Sequence, residues 1–164
     1  METQHYNFQD DGHIPNSVFP AVVYKKAFSG DNLAEVMERH FAGNNWTNSW
    51  RNGVYPYHHY HSITHEVLGV YSGTAELQLG GEKGKKIAVA PGDVMILPAG
   101  TGHKKISASA DFGVVGAYPN GSDYDIMKGE PGERPAADER IARVPFPEND
   151  PVQGNRGGII ELWK

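Results

Sequence analysis

A chain of 164 residues is long enough for one domain with a real core and too short for two comfortable ones, and the absence of cysteine excludes disulfides, thiolate ligands and a cysteine nucleophile. Twenty acidic against 15 basic residues give a net charge of -5 with no long run of either sign, so the electrostatic footprint of a nucleic-acid binder is missing. The 20 glycines and 11 prolines demand many turns between short segments, which favours an all-β sandwich or barrel over a helix bundle.

The first 30 residues read as an extended arm. Met1 to Tyr6 offer no basic region leading into an apolar stretch, and no long apolar segment follows. A cytoplasmic protein with no membrane partner is therefore the expectation. Residues 19–24 form the first predicted strand. Leu33, Val36, Met37, His40 and Phe41 then recur at helical spacing, with Ser29 or Asp31 available as N-cap and Gly43-Asn44-Asn45 as the stop.

From Trp46 the texture changes to short runs of β-branched and aromatic residues bounded by turn residues. The predicted strands are 54–61, 66–71, 75–79, 85–89, 94–97, 103–108 and 112–118. Ser72-Gly73, Gly80-Gly81, Pro91-Gly92-Asp93 and Pro98-Ala99-Gly100 are the turns between them. Beyond Tyr118 the chain is turn-rich and charged, with a short helix predicted over 136–144 and a closing strand over 158–163. The expected organisation is one domain over 1–164: arm and helix to residue 45, barrel over 46–118, tail over 119–164.

Alternate residues of a strand face the same side, so His59 and His61 in Tyr57-His58-His59-Tyr60-His61 point together. A reversal at Ser62-Ile63-Thr64 brings Glu66 beside them, and His103, opening a strand after Pro98-Ala99-Gly100-Thr101-Gly102, can supply a third imidazole. A bulge at the first of these turns would exchange His65 for Glu66. Without it, His58 and His65 face away and serve packing. The same alternation places Tyr57 on the His59 face, and Lys105 and Ser107 on the His103 face. With Gln78 these are the candidate pocket residues, and a lysine beside a metal favours an anionic or carbonyl substrate.

The spacing resembles the two motifs of the cupin superfamily. The first, Gly-x5-His-x-His-x3–4-Glu-x6-Gly, is matched by Gly53, His59, His61, Glu66 and Gly73. The second, Gly-x5-Pro-x-Gly-x2-His-x3-Asn, is matched by Gly92, Pro98, Gly100 and His103, with Ser107 where Asn stands in the motif. The motifs cover about a third of the chain. The text around His59 to Gly69, Asp10-Asp11-Gly12 and Val114 to Pro119 further resembles the YjlB-type group of bacterial cupins.

The resemblance implies an all-β double-stranded β-helix, or jelly-roll barrel, and one divalent metal held by His59, His61, Glu66 and His103. It also implies a homodimer acting on a small molecule. A shell of three His and one Glu without sulfur suits Mn(II), Fe(II) or Ni(II); Zn(II) is possible, but a tetrahedral site closed by four protein ligands would be structural. The expected function is a metal-dependent enzyme on a small polar organic molecule, of dioxygenase type first and isomerase or lyase type second. A non-catalytic binding or sensing module, or a degenerate site whose histidines are satisfied by hydrogen bonds, is the alternative.

Overall fold

A computed structural model describes residues 1–164. Nine strands form two antiparallel sheets. The larger sheet has the order β1 (Glu2–Tyr6), β2 (Ala21–Lys25), β7 (Val94–Leu97), β4 (Glu66–Ser72), β9 (Gly113–Pro119), β3 (Trp46–Asn52). The smaller has the order β6 (Lys85–Val89), β5 (Ala75–Leu79), β8 (His103–Ala108). Three helices complete the chain: α1 (Leu33–Gly43), α2 (Ala136–Arg143) and α3 (Ile159–Leu162). Leu68, Val70, Met95 and Leu97 of the large sheet meet Leu77, Leu79, Ile87 and Val89 of the small one, forming the core of the barrel.

The large sheet is covered on its outer face as well, which explains why Val94-Met95-Ile96-Leu97 is an unbroken apolar run rather than an alternating one. Val67, Ile96, Val115 and Ala117 pack outward against Met37 and Phe41 of α1 and against Ile159 and Trp163 of the tail. Close approach of the helix depends on Gly69. A Cβ there would lie 2.6 Å from Met37 Sδ and 3.1 Å from Phe41 Cζ.

Four expectations are corrected. The arm is not merely extended, because Glu2–Tyr6 pairs with β2 and becomes the sheet edge. Helix α1 is capped by Asn32 in the left-handed conformation, which Asn tolerates, rather than by Ser29 or Asp31. The strand expected over 54–61 is irregular, since Pro56 has no N–H to give a ladder; only His59 bridges His103 and Tyr60 bridges Met127, while the regular strand lies earlier, at β3. The closing strand is helix α3. Gly158 turns the chain at φ 49°, and the fully buried carboxylate of Asp150 accepts the Ile159 N–H at 3.1 Å, so a helical turn starts there. Its Trp163 donates from Nε1 to Pro20 O at 2.8 Å and seals the outer face instead of extending an edge.

Candidate metal centre

His103 opens β8, and its backbone exchanges hydrogen bonds with that of His59: His59 N–H to His103 O at 3.2 Å and His103 N–H to His59 O at 2.9 Å. His61 is fixed by the Gly100 N–H, which donates to its carbonyl at 2.8 Å. The turn at Pro98-Ala99-Gly100 is thereby tied to the histidine segment, and the three imidazoles meet at one end of the barrel. One ring nitrogen of each lies within 4.8 Å of those of the others, and all three residues are at most 6 % exposed. Such a buried three-His group can hold a metal ion.

The unused ring nitrogens set the tautomers. His59 Nδ1 lies 3.0 Å from Tyr57 O, His103 Nδ1 3.1 Å from Thr101 O, and His61 Nδ1 2.5 Å from Asp125 O. A carbonyl oxygen only accepts, so each Nδ1 carries the hydrogen and donates it. In the neutral rings, each Nε2 therefore presents a lone pair.

Glu66, opening β4, points into the same space. Its Oε1 is 3.2 Å from His61 Nε2 and 3.3 Å from His103 Nε2. Its Oε2 accepts the Tyr118 hydroxyl at 3.0 Å, and that hydroxyl accepts Trp50 Nε1–H at 2.7 Å. Trp50 can lie across β9 because residue 116 is Gly: a Cβ there would sit 2.3 Å from the indole ring.

Lone pairs facing a carboxylate need positive charge between them, and the electrostatics show the demand. Burial opposes charge on His61, but the adjacent Glu66 carboxylate outweighs it and raises the ring to about 9. His59 is pushed down to about 3, first by burial and then by repulsion from His103. Burial opposes ionisation of Glu66 as well, yet the His61 charge and the hydrogen bonds from His103 and His61 hold its carboxyl well below the usual range. Burial and the Glu66 charge raise the Tyr118 phenol, which keeps its proton and stays a donor. Three imidazole Nε2 atoms and a carboxylate oxygen, with Nδ1 hydrogens spoken for, form a donor set that fits a divalent cation.

His65 and His58 lie elsewhere. His65 Nδ1 accepts the Ala99 N–H at 2.9 Å, Nε2–H donates to Pro145 O at 3.2 Å, and the ring packs against Trp163. Burial lowers it to about 4. His58 Nε2 is 2.9 Å from Glu82, with Nδ1 buried and unpartnered.

A cleft of about 350 Å³ opens onto the histidines, and of the expected pocket residues Lys105 lines it. The others do not. Gln78 pairs with Lys104 on the face opposite Leu77 and Leu79, and its amide donates to Gly81 O and Glu82 O at 3.1 Å each. Ser107 is turned away because the β5–β8 register slips there: Lys105 pairs with Leu77 but Ser107 pairs with Glu76, so a bulge at Ile106 reverses the alternation. Tyr57 lies outside the cleft, stacked on Tyr55 at 5.1 Å beneath Lys128 Nζ. The residues that the sequence did not single out are Trp50, Tyr118 and Tyr124, the last stacked on Tyr118 at 4.9 Å. Tyr124 arrives on a tail segment anchored where Ser62 N–H donates to Asp125 Oδ1 at 2.7 Å.

Two facing antiparallel sheets with a buried histidine group at one end define a cupin, and the Cupin_2 family, a cupin domain, matches residues 51–113. The chain is 50 % identical over 164 residues to the uncharacterized protein YjlB of Bacillus subtilis (strain 168), covering 99 % of this chain and 97 % of that protein. It belongs to the YjlB family of cupins. Among solved structures it is similar to the Legionella pneumophila epimerase RmlC, at 13 % identity, 76 % of this chain, 74 % of that one and TM-score 0.41. It is also similar to acireductone dioxygenase from Bacillus anthracis, at 15 % identity, 77 % and 78 % coverage and TM-score 0.38.

Proposed function

We propose that this cupin is a metal-dependent enzyme acting on a small polar organic molecule, with His59, His61, Glu66 and His103 as the protein ligands of one divalent ion. The observation that carries the reading is the shared tautomer: three buried imidazoles grouped together donate Nδ1–H to backbone carbonyls, and His61 and His103 turn Nε2 toward the Glu66 carboxylate. A sulfur-free set of this kind suits Mn(II), Fe(II) or Ni(II).

When bound, such an ion supplies Lewis acidity and open coordination positions for substrate, water or dioxygen. The chain does the positioning. Tyr118 occupies Glu66 Oε2 and leaves Oε1 toward the histidines, and Trp50 fixes the Tyr118 hydroxyl in turn. The stacked Tyr118 and Tyr124 rings form one wall of the cleft. Dioxygenase chemistry is the first reaction class proposed, isomerase or lyase chemistry the second.

The test is to load untagged protein with each of the three metals and follow oxygen uptake and substrate loss against a panel of small acids, sugars and phenols. Turnover that is abolished by His103→Ala and kept by His58→Ala supports the reading. A loaded protein inert toward the whole panel favours a binding module.

A further inference from the structure

The charges lining the cleft point to the chemical class of its ligand, an inference that rests on the metal reading above. Two side chains bring formal positive charge to the lining besides the histidines, Arg51 and Lys105. Arg51 is committed: its Nε and Nη2 donate to Glu38 at 2.9 and 2.6 Å. Lys105 makes no ion pair and no side-chain hydrogen bond, although it is part-buried. Its backbone is held firmly, with the N–H donating to Tyr55 O at 2.9 Å and the residue registered opposite Leu77. It therefore faces inward two residues after His103, before the bulge that turns Ser107 away.

Glu66 is the one carboxylate lining the cleft, and its charge is already spent on the histidines and the ion they hold. A divalent ion, Glu66 and Lys105 together leave the site with an excess of positive charge beside apolar Val54, Leu68 and Ile126. Uncompensated charge against such walls is costly, and a bound anion removes the cost. We infer that the cleft binds a small organic carboxylate, with the Lys105 ammonium as its charge partner and the Tyr118–Tyr124 stack as its flat wall. The volume of about 350 Å³ is near the lower end for small-molecule sites, which suits an acid of one ring or a few carbons.

The probes are pyruvate and benzoate, each against its neutral counterpart, methyl pyruvate and benzamide. Protein loaded with Mn(II) is titrated with all four while water-proton relaxation reports on the ion's surroundings and equilibrium dialysis gives affinity. At least one acid binds about tenfold or more tighter than its neutral partner, Lys105→Met removes most of that preference at unchanged Mn(II) content, and Lys105→Arg retains it. Acid and neutral partner binding alike, or a preference indifferent to Lys105→Met, with Mn(II) content normal, overturns the carboxylate assignment and leaves the metal site standing. Wild-type protein that takes up none of Mn(II), Fe(II) and Ni(II) overturns the metal reading and this inference with it.

Discussion

The Tyr118 hydroxyl donates to Glu66 Oε2 at 3.0 Å, while Oε1 of the same carboxylate faces His61 and His103. One phenol thus decides which oxygen of a buried carboxylate is free. Tyr118→Phe keeps the ring and its stack on Tyr124 but releases that oxygen. Groups that orient metal ligands are typically worth 10–100-fold in metal affinity, so Tyr118→Phe is expected to weaken binding by about tenfold, measured by competition with a chelator.

Gly116 supports the same relay from beneath. Gly116→Ala drives a methyl group into the Trp50 indole and displaces its N–H from the Tyr118 hydroxyl. The expected outcome is a loss of about 1–3 kcal/mol in denaturant unfolding and a changed near-ultraviolet dichroism from the tryptophan. Unchanged dichroism would show that Trp50 is not held there.

Asp150 is the hub of the tail. Fully buried, it accepts Tyr24 OH at 2.6 Å, the Val152 and Gln153 N–H groups at 2.7 and 2.9 Å, and the Ile159 N–H. Asp150→Ala strands those donors and is expected to cost about 2–5 kcal/mol, with limited proteolysis cutting the segment after residue 150.

Acid acts on the fold through His65. An unfolded histidine takes up its proton near 6.5, whereas the buried ring resists until about 4, so the unfolded state binds more protons between those values. Stability therefore falls as pH drops from about 6.5 to about 4, by about 2 kcal/mol at pH 5. Asp10 and Asp138, both held below the usual range by Arg134, add their losses further down, as pH falls through the carboxylate range. Thermal melts of metal-free His65→Gln, compared with metal-free wild type, should show a flatter dependence over pH 4 to 6.5.

How far the sequence led depends on how local each feature is. His59, His61, Glu66 and His103 were readable because turn residues at fixed offsets set their spacing, and the structure brings the three imidazoles and the carboxylate together. Strands β4 to β9 were readable for the same reason. The aromatic wall was not, since Trp50 meets Tyr118 across 68 residues and Tyr124 stands in a stretch that looks like ordinary solvated tail. Ser107 was misplaced by assuming regular alternation, which the bulge at Ile106 breaks, whereas Gln78 follows regular alternation onto the face opposite Leu77 and Leu79. The terminal helix was hidden because its cause is Asp150, a buried carboxylate no period announces.

The most direct test is metal content of untagged protein and its variants, measured by mass spectrometry after exposure to Mn(II), Fe(II) or Ni(II) and gel filtration. One ion per wild-type chain is expected, with most of it lost in His61→Ala and His103→Ala and retained in His58→Ala and His65→Gln. Wild-type protein that stays empty under all three metals, or His61→Ala and His103→Ala variants that hold as much ion as His58→Ala, would contradict the metal assignment.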